Sequence, residues 1–190
     1  MKTLTFGSGN PNKLKEIRES FELFCTNSFE LIHEKIEKIE IQSTSIQEIA
    51  SYALSKLPGR RNFFLEDTGF YIDALNGFPG PYASFTLQTL GCSGILNLLE
   101  GHSNRDAYFL TVIAFNDQNG NTFFFEGRVD GFISKEVRGK SWGFDPIFIV
   151  ADKEINPKQM TYAELKPYQK NRISHRAIAI ENFCAYLNTL

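Results

Sequence analysis

The chain has 190 residues, of which 42% are hydrophobic and 22% charged, and its formal net charge is −2. A chain of this length and composition is expected to form one sizeable globular domain. Proteins that bind nucleic-acid polymers present a net positive face, so the charge argues against such a partner. It leaves room for a single nucleotide in a local basic pocket.

The cysteines and the apolar segments indicate where the protein works. Cys25, Cys92 and Cys184 are far apart and match no metal-binding spacing, which predicts free thiols in a reducing compartment. The apolar stretch before Gly7 is too short for a secretory signal, and no segment approaches the roughly 20 apolar residues of a membrane span. We therefore expect a soluble cytoplasmic protein with no membrane partner.

Hydrophobic periodicity predicts alternating strands and helices in the first half of the chain. The expected elements are, in order, a strand over 3–8, a helix over 11–25, a strand near 29–41, a helix over 45–57, a short strand over 63–65, and helices over 83–90 and 92–100. We expect the short strand to end at the segment Glu66-Asp67-Thr68-Gly69, which reads as a turn.

The second half of the chain is rich in β-structure. Apolar runs over 108–115 and 122–133 flank a polar turn, which predicts a hairpin. A strand over 144–150, a helical turn capped by Thr161 and a final helix over 175–189 complete the chain. This order predicts a mixed-sheet α/β fold, as one domain over residues 1–190 with two lobes and a cleft between them.

The run from Thr5 to Lys13 resembles a phosphate-binding turn, but it fits neither common nucleotide motif. A P-loop needs a second glycine directly before the lysine, and the dinucleotide motif needs a third glycine. Both of these positions fall on Asn12 in this chain. The run therefore has to be interpreted from its own residues.

Those residues are consistent with a strand–turn–helix unit. Gly7 and Gly9 permit a tight turn, Asn10 suits a helix N-cap, and Pro11 suits the first helical position. The free N–H groups of the turn and Lys13 would then face one spot and bind an anion. The alternative is an ordinary strand–turn–helix with a surface lysine.

Glu66 and Asp67 follow an apolar strand, at the rim where α/β proteins bind ligands. Neighbouring side chains on a strand point to opposite faces, so one acid should enter the cleft while the other supports the structure. A carboxylate that points inward implies a cation or a hydrogen-bond partner, and Mg²⁺ takes one or two carboxylates together with substrate phosphates. Glu40 is a candidate second ligand, with Glu37 and Glu48 as alternatives. Both strand acids could instead be solvated turn residues.

Two further segments carry candidate ligand-binding residues. Ser174-His175-Arg176 begins the last helix and places two basic side chains in its first turn, where they oppose the helix dipole. This arrangement fits a nearby anionic or polar ligand, or a solvated surface turn. Trp142 beside Asp145 fits a shelf that stacks on a base and accepts hydrogen bonds from its edge, or an ordinary core tryptophan.

Together these segments resemble the inosine triphosphatase family, the pyrophosphatases of non-standard purine nucleoside triphosphates. The matching segments follow the family order almost from end to end: Ser8-Gly9-Asn10 through Lys13, Glu66-Asp67-Thr68-Gly69, Phe78-Pro79-Gly80-Pro81-Tyr82, Gly127-Arg128-Val129-Asp130-Gly131, Trp142-Gly143-Phe144-Asp145-Pro146, Thr161-Tyr162-Ala163-Glu164 and Lys170-Asn171-Arg172-Ile173-Ser174-His175-Arg176. Each segment alone is unspecific, but jointly they are highly specific.

The resemblance implies an elongated mixed β-sheet with a central nucleotide-binding cleft, a homodimer, and hydrolysis of ITP, dITP and XTP to the monophosphate and pyrophosphate. It implies Mg²⁺ as cofactor, for which Mn²⁺ can substitute because both prefer oxygen ligands. It assigns catalysis to Asp67 and Lys13 and the metal to Glu40 and Asp67. It assigns substrate binding, from the triphosphate to the base, to Ser8, Asn10, Lys13, Thr68, Trp142, Gly143, Phe144, Asp145, Lys170, Ser174, His175 and Arg176.

One departure from the family pattern follows Gly80-Pro81-Tyr82, where some relatives carry a basic residue and this chain has Ala83-Ser84-Phe85. Two other functions remain as alternatives. One is a pyrophosphatase for modified pyrimidine or methylated nucleotides, and the other is a nucleotide-sensing module without turnover. Lys13 and Asp67 speak against the sensor, because the family uses both residues in catalysis.

Overall fold

The computed structural model describes residues 2–25 and 29–189. Within these residues the strands are β1 (Lys2–Gly7), β2 (Phe29–Glu34), β3 (Phe63–Ile72), β4 (Pro79–Gly80), β5 (Asp106–Asn116), β6 (Thr122–Ile133) and β7 (Phe148–Val150). The α-helices are α1 (Pro11–Phe24), α2 (Ile46–Ser55), α3 (Ala83–Thr89), α4 (Gly91–Leu98), α5 (Pro167–Ile173) and α6 (His175–Leu187). None of the helices in this part of the chain is both long and apolar enough to cross a membrane.

The strands form one mixed β-sheet, which confirms the predicted α/β class. The order across the sheet is β2-β1-β3-β5-β6-β7, and β4 pairs with β3. β1 is parallel to both of its neighbours, whereas β3–β4 and β6–β7 are antiparallel. The parallel pairs come from the half of the chain in which strands and helices alternate, because a parallel connection needs a crossover helix.

The strand predicted near 29–41 is shorter than expected. β2 ends at Glu34, which pairs with Gly7 at the end of β1. A strand needs a partner for its backbone N–H and C=O groups, so residues 35–45 form neither helix nor strand. This irregular segment instead brings Lys38 and Glu40 beside β3.

The third strand is longer than predicted. Its parallel pairing with β1 covers Phe63 and Phe64, and its antiparallel pairing with β4 covers Phe70 and Tyr71. On the side opposite β1, β3 is also hydrogen-bonded to β5. The strand therefore does not end with β1, and the segment Glu66-Asp67-Thr68-Gly69 lies inside it.

Two more differences involve proline. The strand predicted over 144–150 begins only at Phe148, because Pro146 lacks an N–H group for a strand ladder and lies in the 3₁₀ turn Asp145–Ile147. Helix α5 was absent from the prediction, although it begins at Pro167, a residue favoured at the first helical position.

The chain divides into two compact units, each assembled from separate segments. The first comprises Met1–Asp67, Thr111–Gly127 and Ser174–Leu190, and the second comprises Thr68–Leu110 and Arg128–Ile173. In the first unit, α1 and α6 share one apolar core with the sheet, in which Ile17, Phe183 and Phe64 are buried. This core fixes the start of both helices, where candidate site residues lie.

The second unit has an aromatic core of its own. The ring of Phe70 stacks on Phe109 at 4.4 Å and on Phe144 at 4.9 Å between centroids, and Phe148 meets Phe109 edge-on. Such aromatic pairs stabilise the fold by more than the burial of their apolar surface alone. The many phenylalanines of the sequence therefore serve largely as core residues in both units.

Candidate active site

The N-terminus of α1 is capped as predicted. Asn10 Oδ1 accepts hydrogen bonds from the backbone N–H groups of Asn12, at 2.9 Å, and of Lys13, at 3.2 Å. Ser8 Oγ in turn accepts from the N–H of Asn10 at 3.1 Å. The side chain of Ser8 is buried, and that of Asn10 is partly exposed. Local side-chain capping therefore fixes the turn that follows β1.

The expectation that this turn offers free N–H groups to an anion is wrong for most of its amides. The N–H of Ser8 donates to the carbonyl of Glu34, and that of Leu14 donates to Asn10. The N–H groups of Asn10, Asn12 and Lys13 are taken up by the caps described above. Recognition of an anion here thus falls to side chains: the hydroxyl of Ser8, the amide of Asn10 and the ammonium of Lys13.

The glycines of the turn also have a different role from the one expected. Neither Gly7 nor Gly9 has a φ in the left-handed region, so the turn does not need them for its backbone angles. A Cβ on Gly7 would lie 2.4 Å from the ring of Phe63. Gly7 therefore allows the close approach of β1 and β3 that brings Lys13 and Glu66 together.

Glu66 lies at the centre of a buried ion network in the first unit. Its Oε1 is 2.8 Å from Lys13 Nζ and 3.5 Å from Arg176 Nη2, and its side chain has no exposed surface. Arg176 also pairs with Glu16 of α1 and is itself only 1% exposed. Two acids and two bases from β3, α1 and α6 thus neutralise one another inside the protein.

The charge on Glu66 is set by two opposing effects. Burial alone would raise the pKa of its carboxyl, but the positive charges of Arg176, Lys13 and Lys38 outweigh burial and hold the pKa well below its usual range. Glu66 therefore stays ionised at all physiological pH values. It is a fixed negative charge that orients Lys13.

The Ser174-His175-Arg176 segment is placed by the start of α6. Ser174 caps the helix by accepting from the N–H of Ala177 at 3.1 Å, as predicted. The first turn packs closely on β6, where a Cβ on Gly127 would lie 2.0 Å from the carbonyl oxygen of His175. A positive charge in the first turn interacts unfavourably with the helix dipole. The negative charges of Glu16 and Glu66 offset this cost for Arg176.

Sequence reasoning missed Glu16, and a signal for it exists. Glu16 follows Lys13 by three residues, which places both on one face of α1. It also neighbours Ile17 in the apolar stripe of the helix. An acid at the edge of such a stripe is a candidate for a buried pair, but the sequence does not identify its partner.

Asp67 contacts a second lysine that the sequence did not single out. Lys38 Nζ lies 3.1 Å from Asp67 Oδ2, 3.1 Å from Glu40 Oε1 and 3.2 Å from the carbonyl oxygen of Glu66. Lys38 thereby links Glu40 to Asp67. Among the other acids considered, Glu48 accepts a hydrogen bond from Ser43 at the start of α2.

The donor set around Lys38 suits a divalent cation of the Mg²⁺ type. Two carboxylates and one carbonyl group, all with oxygen donors, converge on one position that already holds a positive charge. Over residues 2–25 and 29–189, no group of three or more His, Cys, Asp or Glu side chains forms a metal site. Mg²⁺ takes only one or two carboxylates and completes its shell with water and phosphate, so two carboxylates and a carbonyl group fit it.

The second unit brings together three of the residues assigned to substrate binding. Asp145 Oδ2 accepts from Lys170 Nζ at 2.6 Å and from Ser141 Oγ at 2.7 Å. Lys170 Nζ also lies 5.4 Å from the ring centroid of the partly exposed Trp142. The result is an aromatic surface beside a buried charge pair.

The remaining candidates have identifiable structural surroundings. Phe144 belongs to the aromatic core of the second unit, where it stacks on Phe70. Gly143 has φ of +66°, a conformation that favours glycine. Thr68 is half-buried on β3 directly after Asp67. Their assigned contacts with the substrate remain predictions.

The ionised state of Glu66 predicts a pH-dependent stability. At neutral pH, Glu66→Gln should lower the free energy of unfolding by about 3–5 kcal/mol, because Lys13 and Arg176 lose a buried counter-charge. An acid with a lowered pKa contributes fully above its unfolded-state pKa, near 4.5, and loses that contribution as the pH falls toward the folded-state value. The difference between wild type and variant should therefore shrink below about pH 4.5, by up to about 1.4 kcal/mol per pH unit.

Urea unfolding over a series of pH values measures this difference. The control is Glu22→Gln, which removes an exposed carboxylate from the same helix as Lys13. A difference between wild type and Glu66→Gln that stays constant down to about pH 3 would contradict the assigned charge state.

Comparison with known proteins identifies the family of this chain. The sequence model of the Ham1 family matches residues 4–186. A dITP/XTP pyrophosphatase of Thermococcus kodakarensis is 42% identical over 187 residues, covering 97% of this chain and 96% of the relative. Another from Saccharolobus solfataricus is 42% identical over 185 residues, covering 96% and 92%.

Solved structures agree with this match. A HAM1 protein of Coxiella burnetii, 28% identical, covers all of both chains with a TM-score of 0.81. The Ham1 protein of Staphylococcus aureus, also 28% identical, covers 99% of each chain with a TM-score of 0.79. Sequence and fold match over nearly the full length, and the resemblance carried by the short segments is confirmed: this chain belongs to the Ham1 family.

Proposed function

We propose that this protein hydrolyses ITP, dITP and XTP to the nucleoside monophosphate and pyrophosphate, and so removes non-standard purine nucleotides from the nucleotide pool. Its full-length similarity to dITP/XTP pyrophosphatases supports this activity. The observation that carries it is the cluster of Asp67, Lys38, Glu66 and Lys13, in which buried acids hold two lysines in fixed positions within one unit.

The triphosphate is assigned to the N-terminus of α1. Lys13 supplies the positive charge, and Glu66 fixes the position of its ammonium group. The hydroxyl of Ser8 and the amide of Asn10 supply hydrogen-bond donors, because the N–H groups of Asn10, Asn12 and Lys13 are already used. Phosphoryl transfer needs positioning and charge neutralisation more than covalent chemistry, and these side chains provide both.

Asp67 is assigned to the attacking water. Its carboxylate is nearly buried, and a base so placed can orient a water molecule or accept its proton. Glu40 and Asp67 would hold Mg²⁺, or Mn²⁺ in its place, which neutralises phosphate oxygens when bound. Glu66 is not assigned to the water or the metal, because its carboxylate pairs with Lys13 and Arg176.

The contacts to the base are assigned by resemblance to the family. Trp142 would stack on the purine, and Lys170 would contact a phosphate or the base. Ser174, His175 and Arg176 are assigned to the base, and donors of His175 and Arg176 would pair with the oxygen at C6 that hypoxanthine and xanthine share. Arg176 also pairs with Glu16 and Glu66. Adenine presents an amine at C6, so it would leave buried donors without an acceptor. Each unpaired donor would cost about 1–3 kcal/mol of binding free energy.

A pyrophosphate-release assay tests the activity. With Mg²⁺ present, kcat/KM for ITP, dITP and XTP should exceed that for ATP by roughly 100-fold, as two unpaired polar groups would produce. The absence of pyrophosphate release from both ITP and XTP would refute the proposal. Turnover of modified pyrimidine or methylated nucleotides would support another pyrophosphatase, and nucleotide binding without turnover would support a sensor.

The role of Asp67 is tested by a conservative substitution. Asp67→Asn should lower kcat by about 10²–10⁴-fold while nucleotide binding is retained, because the amide cannot accept the proton of water. Asp106→Asn, at an exposed position of the second unit, serves as the matched control with expected wild-type turnover. Unchanged kcat in Asp67→Asn would remove Asp67 from the catalytic role.

We further propose a cytoplasmic homodimer. Three free thiols fit a reducing compartment. A surface formed by Tyr82, Phe85 and Leu90, at and around α3, is apolar and exposed, with Phe85 66% accessible. Such patches on soluble proteins commonly mark interaction sites, and we assign this one to the second copy of the chain.

Light scattering coupled to size-exclusion chromatography tests the dimer. The wild type should elute at twice the chain mass, and Phe85→Ser should shift the population toward the monomer. Tyr168→Ser, which changes an equally exposed aromatic residue on α5, is the control and should remain dimeric. A monomeric wild type would contradict the assignment.

A further inference from the structure

The ammonium group of Lys38 has an environment that resembles a metal-binding site. An ammonium group has three N–H donors, and three oxygens surround this one: Asp67 Oδ2, Glu40 Oε1 and the carbonyl oxygen of Glu66. All three lie 3.1–3.2 Å from Nζ. Two of these oxygens belong to the carboxylates assigned to the divalent cation.

The surroundings show that Lys38 is held as an internal cation. Its side chain is only 15% exposed, although it comes from the irregular segment that follows β2. Asp67 is similarly sheltered, at 12%, whereas Glu40 is about half exposed. A sheltered carboxylate needs a positive charge or a hydrogen-bond donor beside it, and Lys38 supplies both to Asp67.

We propose that Lys38 occupies the divalent-cation position in the metal-free protein, where it keeps Asp67 and Glu40 together, and that the incoming metal displaces it. This inference rests on the metal site of the proposed function. Mg²⁺–oxygen distances are about 2.0–2.1 Å, so the same oxygens must move inward by about 1 Å and the ammonium group cannot remain between them.

Displacement has a consequence for the order of binding. When the metal binds alone, it must displace the ammonium group of Lys38, which then loses its three oxygen acceptors. When the metal arrives with a triphosphate, phosphate oxygens can accept the released ammonium. Lys38 thus makes the site bind a divalent cation weakly by itself and more strongly together with nucleotide.

The experiment measures Mn²⁺ binding to the protein without nucleotide, by electron paramagnetic resonance of the free ion. Lys38→Met removes the competing charge and should tighten Mn²⁺ binding by roughly tenfold. Lys35→Met removes an exposed lysine from the same segment and should leave the affinity at the wild-type value. Lys38→Arg keeps the charge and should retain the weak binding.

A second measurement remains informative even if Lys38→Met is less stable than wild type. Ligand that binds only the folded protein raises its melting temperature, so Mn²⁺ should raise the Tm of Lys38→Met more than that of wild type. In wild type, an α,β-methylene analogue of ITP, which resists cleavage, should tighten Mn²⁺ binding. It should do so much less in Lys38→Met.

The outcomes separate this inference from the proposed function. Equal or weaker Mn²⁺ binding in Lys38→Met, with metal still bound by wild type in the presence of the analogue, would overturn the role of Lys38 and leave the metal site intact. No Mn²⁺ binding to any variant, with or without the analogue, would overturn both. A similar increase in Mn²⁺ affinity in Lys35→Met would also overturn the role of Lys38, because the change in net charge alone would then explain the effect.

Discussion

The burial of Glu66 is the constraint on which the first unit depends. A carboxylate withdrawn from water must be neutralised, and here the charges come from Lys13 on α1 and Arg176 on α6. Arg176 in turn requires Glu16, so the two helices and β3 are joined by charges above their shared apolar core. As a result, the protein itself holds Lys13 in position, and the lysine needs no ligand to orient it.

The same pairing of acids with bases recurs in both units. Asp67 is paired with Lys38, and Asp145 is paired with Lys170. The partners lie 29 and 25 positions apart in the sequence, so each pair depends on the fold for its geometry. A ligand that binds at such a place would exchange partners with the pair: an anion would compete for the lysine and a cation for the carboxylate. Affinity is then a difference between two sets of contacts.

Features that depend on a few neighbouring residues were predictable from the sequence. The caps Asn10 and Ser174 and the extents of the main helices follow from local geometry and from a 3.6-residue period. Strand ends were predicted less well, because a strand ends where its partner ends. β2 stops at Glu34, opposite the end of β1, whereas β3 has further partners in β5 and β4 and continues through Glu66 and Asp67.

The sequence by itself determined the family, the α/β class and the residues near which chemistry was to be expected, since these follow from composition, periodicity and the order of short segments. Only the tertiary structure decided which acid meets which base. Arg176 and Glu16 are 160 positions apart, and Lys38 and Asp67 are 29 apart. No periodicity links residues at such separations, because their contact arises from the packing of whole elements. For the same reason the sequence singled out Lys13 as a phosphate ligand but did not reveal that Glu66 holds it in place.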